Sequence, residues 1–293
     1  MKLLWTLVMA AGLAAGADAP EKDPILRSMA DEMARVRMLN IGAADRPYYA
    51  EYTMEDVNLY STSASLGALL NVASNHVRIP RVRIRVGSPA LDNTNYLLSD
   101  YAGEGADEAW PLDDDYAVLR QGWWLATDRA FKAAAQVMAR KRAALATITQ
   151  TENLNDLAKA EACRYLPAFS QPPLDTKSWP DCVRRLSEVF LSYPEATQSV
   201  VEYSATVSTV RYLNSEGSLQ RYPDNLDQLR VLASALAPDG TEIRHGRAMV
   251  TTHSGGLPGE PALLGTVREV AETVRGLVRA PVGEDYSGPV LFE

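Results

Sequence analysis

The sequence predicts an α+β fold: a helix-rich amino-terminal part packed on a mixed or antiparallel sheet, then an antiparallel strand meander and a helix. Three observations carry this. Apolar residues recur at helical spacing over 23–40 and 115–149. Apolar and polar residues alternate over 48–60, 77–86 and 198–213. Turn chemistry at Asn214-Ser215-Glu216-Gly217 and Pro238-Asp239-Gly240 breaks the later strands into short neighbours.

Composition sets the outer limits. The 293 residues are 46% hydrophobic and 23% charged, a globular balance that excludes a disordered or collagen-like chain. The length allows one large domain or two medium ones. Lys and Arg number 29 against 37 Asp and Glu, a formal charge of −8. That surplus argues against a broad nucleic-acid surface, since phosphate binding is driven by Lys and Arg.

Residues 1–19 read as a secretory signal peptide. Lys2 precedes an apolar run from Leu3 to Ala15, and Ala15-Gly16-Ala17 or Ala17-Asp18-Ala19 offers a small-residue cleavage site. The run is shorter than the ~20 residues of a spanning helix. The expectation is an exported chain, periplasmic or extracellular, with no stable membrane insertion after cleavage.

The mature chain is expected to hold two regions, 20–195 helix-rich and 196–293 strand-rich. In the first, Asp23 caps a helix over 23–40, with Pro24 in its first turn and Ile25, Met29, Met33 and Val36 on one stripe. Strands follow over Tyr48–Tyr60, Leu66–Val72 and Val77–Val86. Arg81, Arg83 and Arg85 alternate with Val82, Ile84 and Val86, so three guanidinium groups share one face. That face suits an anionic ligand or a substrate carboxylate, or else it is a solvated sheet face or makes ion pairs with the surplus carboxylates. A loop over 87–114 leads to the clearest helix, 115–149, in which Gly122 is a candidate break. Its late triplet Arg140-Lys141-Arg142 reads as solvated surface.

Cys163 and Cys182 stand 19 positions apart around a Pro-rich loop. In an oxidising compartment the pair allows a disulfide, worth roughly 3 kcal/mol in the chain-entropy model. Two independent thiols are the alternative, and both remain open. A second helix is expected over Asp181–Tyr193. Strands follow over 198–213, 219–222, 228–237 and 241–252, and a last helix over 264–277 with Val267, Val270, Val274 and Leu277 on one stripe. Pro289–Glu293 reads as the opening of a further strand.

No catalytic signature is present. The sequence has no G-x-x-x-x-G-K-[ST], G-x-G-x-x-G, G-x-S-x-G or H-E-x-x-H. The histidines, His76, His245 and His253, are scattered, and no cysteine is near enough in sequence to complete a zinc site. No catalytic residue and no metal ligand is therefore assigned.

Three stretches together resemble the TldD/PmbA family, described as modulators of DNA gyrase and predicted zinc metallopeptidases. They are RVRIRVGSPALDNTNY (81–96), VRYLNSEGSLQRYPDNLDQLRVLASALAPDG (210–240) and EVAETVRGLVRAPVGEDYSGPVLFE (269–293). The LNSEGS turn followed by a strand and APDG is the most specific. The resemblance implies the amino-terminal region of such a peptidase, acting on peptides or unfolded polypeptide. It also implies a homo- or hetero-dimer with a TldD/PmbA-type chain. Zinc is expected only in a complete member, on an H-E-x-x-x-H helix that this sequence lacks; this segment itself is expected to hold no cofactor. A non-catalytic peptide-binding or assembly subunit is the alternative.

Overall fold

The computed structural model describes residues 22–36, 38–40, 45–96, 110–147, 154–281, 283 and 287–291. The signal-peptide segment lies outside them. Among the described residues four α-helices are formed: α1 (Pro24–Val36), α2 (Tyr116–Leu145), α3 (Trp179–Ser187) and α4 (Glu260–Arg279). The strands are β1 (Pro47–Ser65), β2 (Ala68–Ser88), β3 (Leu91–Asp92), β4 (Arg164–Tyr165), β5 (Ala196–Asn214), β6 (Leu219–Pro223), β7 (Leu226–Leu236) and β8 (Glu242–Thr251). They hydrogen-bond in the order β3-β2-β1-β5-β6-β4, while β7 pairs both β5 and β8. Pairing is antiparallel for β2–β3, β5–β6, β5–β7 and β7–β8, and parallel for β4–β6. The α+β class is as the periodicities predict.

The two strands expected over 66–86 are one. β1 and β2 form a hairpin closed by Leu66-Gly67, both at positive φ (50° and 82°), as a two-residue hairpin turn requires. Pro80 does not interrupt β2. The helix expected over 181–193 is shorter: α3 ends at Ser187 and a 3₁₀ turn covers Glu188–Ser192. Residues 289–291 form no strand, and Val290 and Leu291 are exposed.

The chain divides into two compact units, interleaved along the sequence. The first takes the chain through Val57, His76–Gln171 and Ser208–Pro223; the second takes Asn58–Asn75, Pro172–Val207 and the chain from Asp224. Residue 195 lies inside the second unit.

In the first unit, α1 and α2 bury their apolar stripes on β1 and β2. Ile25, Met29 and Met33 meet Tyr52, Met54, Ile84, Trp123 and Phe131 in one cluster. Each buried polar group in this contact has a partner, as burial demands. Trp123 Nε1 donates to Ser28 Oγ at 3.1 Å, and Tyr52 and Thr127 share a hydroxyl bond of 2.7 Å. Asp23 caps α1 as expected, its Oδ1 accepting from the Ile25 and Leu26 amides at 3.1 Å. Asp115 caps α2 likewise. Gly122 does not break α2. Its missing Cβ makes room for the Trp110 ring, whose nearest atom lies 3.1 Å from where that Cβ would stand.

In the second unit, α4 packs Leu263, Val267, Val270, Ala271 and Val274 on Leu229, Val231, Ala233 and Ala235 of β7 and on Val201, Tyr203 and Ala205 of β5. Leu277, expected on this stripe, is exposed at the helix end. Trp179 stacks on Tyr203 with ring centroids 3.7 Å apart.

Candidate functional site

The Arg81/Arg83/Arg85 row sits on β2 opposite the buried Val82, Ile84 and Val86. Each guanidinium meets a carboxylate: Arg81 pairs with Glu55, Arg83 with Glu51 and Arg85 with Asp92. The face carries an ion-pair ladder between β2 and its neighbours.

Asp92 anchors the buried end of that ladder. It is fully buried and accepts from Tyr48 Oη (2.6 Å), the Thr94 amide (2.7 Å), Thr94 Oγ1 (2.6 Å) and Arg85 (2.9 Å). Burial alone would raise its pKa. The hydrogen bonds from Thr94, Tyr48 and Arg85 outweigh burial and hold the carboxyl below its ordinary value. Burial, and then the bond to Asp92, push the Tyr48 phenol well above its ordinary value.

Behind Asp92 lies a second ion pair that sequence reading missed. Lys141, within the triplet read as solvated, is buried. Its Nζ donates to Asp156 Oδ2 at 2.5 Å and to the Thr94 carbonyl at 2.6 Å. Asp156 also accepts from the Asp92 amide (2.8 Å) and Asn95 Nδ2 (3.2 Å). The signal that could have found it is spacing: Lys141 lies three residues after the buried Met138, at helical repeat. This network joins α2, β3 and the 154–157 segment, and every charge in it has an opposite partner.

A different surface lies on the second unit. Across β5, β7 and β8 the register aligns Gln198, Ser234 and Arg244 in one row, and Val200, Leu232 and Gly246 in the next. These rows line an open groove of about 530 Å³. One row is polar and one apolar, on the face opposite the Val231 and Ala233 side chains that α4 covers. The missing Cβ of Gly246 makes room for the Leu232 side chain. A Cβ there would stand 2.4 Å from Leu232 Cδ2 and 2.8 Å from the Val231 carbonyl oxygen. Arg244 is held outward by Glu242, at 2.8 and 2.9 Å. A surface of this kind can bind an extended chain by alternate side chains.

The chemistry-bearing residues stay dispersed. His76 Nε2 lies 2.6 Å from Asp56 Oδ1, and the same carboxylate accepts from Arg78. His245 has a buried Nε2 with no hydrogen-bond partner among the described residues. His253 Nδ1 lies 3.5 Å from Thr252 Oγ1 on an exposed loop. Cys163 is exposed, Cys182 half-buried, and both are free thiols. Burial, with the Glu260 charge beside it, pushes the Cys182 thiol up. Among the described residues no group of three or more His, Cys, Asp or Glu is placed to hold a metal ion. No described helix is long and apolar enough to cross a membrane.

No protein-family model matches the chain, and no curated protein matches it significantly. Among solved structures, the chain is similar to a candidate modulator of DNA gyrase from Bacteroides thetaiotaomicron VPI-5482. The TM-score is 0.51 at 10% identity, over 87% of this chain and 49% of that one. TldE from Thermococcus kodakarensis matches with TM-score 0.47 at 10% identity, over 85% and 47% of the two chains. A candidate modulator of a DNA gyrase from Thermotoga maritima MSB8 matches with TM-score 0.45 at 10% identity, over 80% and 46%. The chain thus spans about half the length of the solved structures it matches. It shares the fold of the Bacteroides protein, in agreement with the resemblance read from the sequence.

Proposed function

We propose that this chain is the amino-terminal, peptide-handling region of an exported TldD/PmbA-type zinc metallopeptidase. The observation that carries the reading is the fold shared with the Bacteroides thetaiotaomicron protein over 87% of this chain. The open two-row surface of β5, β7 and β8 supplies a place for an extended polypeptide, with Val200 and Leu232 as apolar contacts and Gln198 and Ser234 as polar ones.

Zinc in this scheme belongs to residues that this sequence does not contain. When bound in a complete enzyme it would polarise the scissile carbonyl and activate water. The residues of this chain hold and orient the polypeptide. The chain acts in a two-chain assembly with a TldD/PmbA-type partner and binds no nucleic acid.

The test is metal analysis of the purified chain together with digestion of an unfolded protein substrate. The expected result is no stoichiometric zinc and no cleavage. Zinc at one per chain with chelator-sensitive cleavage would contradict it. Export is tested separately by sequencing the mature amino terminus, expected near Asp18 or Pro20.

A further inference from the structure

We infer that Asp227 and the oxygens beside it form a binding site for a monovalent alkali cation, sodium or potassium. The site lies within the second unit, on the α4 face of the sheet. It is separate from the β5–β7–β8 groove and does not depend on the function proposed above.

Buried charges in this chain come in opposite pairs, with one exception among the described residues. Asp23, Glu32 and Asp92 meet arginines, Arg78 and Arg221 meet aspartates, and Lys141 meets Asp156. Asp227 is only 1% exposed and meets no cationic side chain among the described residues. Its Oδ2 accepts from the Gly255 amide at 2.8 Å. Its Oδ1 is buried and has no hydrogen-bond partner among the described residues. A carboxylate taken out of water without an opposite charge is costly, so a site of this kind calls for a positive partner.

Neutral oxygens gather beside the carboxylate. Asp227 stands directly opposite Thr251 in the β7–β8 ladder, so the two side chains are neighbours on one face. Tyr203 pairs with Leu229 and is diagonal to Asp227. Its phenol is pushed up by burial and then by the Asp227 charge, and Trp179 holds its ring by stacking. The chain leaving β8 folds back over the same spot. Gly255, at φ 73°, aims its amide at Oδ2, Gly256 donates to the His253 carbonyl at 2.8 Å, and the His253 amide bonds Thr251 Oγ1 at 3.1 Å. The turn is tight: a Cβ on Gly256 would stand 2.7 Å from Thr251 Oγ1 and 2.8 Å from the His253 carbonyl oxygen. One carboxylate among hydroxyl and carbonyl oxygens is hard-donor chemistry. Calcium sites use several carboxylates, and no such group is placed together among the described residues. A single positive charge cancels the single negative one, which selects a monovalent ion.

The experiment uses the full chain in choline chloride, with sodium or potassium chloride exchanged for choline at constant ionic strength. The melting temperature should rise saturably, by on the order of 5 °C, as one of the alkali ions replaces choline. Asp227→Asn keeps the side-chain shape and an acceptor for the Gly255 amide but removes the charge. It should melt at one temperature in all three salts. Thr251→Val removes one neutral oxygen and should raise the half-saturating ion concentration by roughly threefold or more. Equal melting of the wild type in sodium, potassium and choline overturns the inference, and so does an ion response that Asp227→Asn retains. If Asp227→Asn fails to fold, Thr251→Val decides alone, and an unchanged half-saturating concentration overturns the inference.

Discussion

Lys141 Nζ lies 2.5 Å from Asp156 Oδ2, with only 6% and 11% of the two side chains exposed. The pair fixes the late part of α2 to the segment that follows Asn153. Asp156 in turn holds the Asp92 amide. A buried pair of this kind is not a large net stabiliser, but removing one partner strands the other charge in low dielectric.

Lys141→Met should therefore destabilise the first unit by about 3 kcal/mol, and Lys141→Met with Asp156→Asn by clearly less. Urea denaturation of the single and double variants measures this. Equal losses in both would show that the pair does not act as a unit.

Asp92 gives a pH signature. Its folded pKa is depressed by its hydrogen bonds, so the unfolded state binds the proton more readily. The resulting stability is fully present above the ordinary carboxylate value of about 3.9 and is lost as pH falls through the lower folded value. Melting curves from pH 6 to pH 2 should show wild type and Asp92→Asn converging as pH drops below about 4. A constant gap between them would rule out this linkage.

Gly246→Ala should cost about 1–3 kcal/mol, because the new methyl meets the Val231 carbonyl oxygen, which is fixed in the β7–β8 ladder. Gly265→Ala, where nothing lies within 4 Å of the added carbon, should be neutral or stabilising. Thermal melting of the two variants side by side checks the contrast.

The thiols should differ in reactivity. Cys163 is exposed, whereas Cys182 is half-buried with its thiol pushed up. A disulfide-exchange reagent at pH 8 should titrate two thiols in unreduced protein, Cys163 first. Faster reaction at Cys182, or no free thiol, would contradict the structure.

Much of this was readable in the sequence, and the misses share a cause. Local rules sufficed where one residue decides: Asp23 caps its helix, and period 2 placed Arg81, Arg83 and Arg85 on one face. What sat against that face was not local, because Glu51 and Glu55 come from β1 and Asp92 from β3. Lys141 read as solvent-facing because its partner, Asp156, lies beyond the helix in a stretch without periodicity. The groove was invisible for the same reason. It depends on the β5–β7–β8 register, which aligns Gly246 with Leu232 and Val200.

Peptide handling by this chain without zinc is the central claim, and binding of a fluorescein-labelled, extended, apolar-rich peptide tests it most directly. Anisotropy should rise saturably with wild-type chain and be unchanged by a chelator. The peptide should remain intact, and binding should be lost in Leu232→Glu at equal circular dichroism. No saturable binding, or binding that survives Leu232→Glu undiminished, would contradict the account.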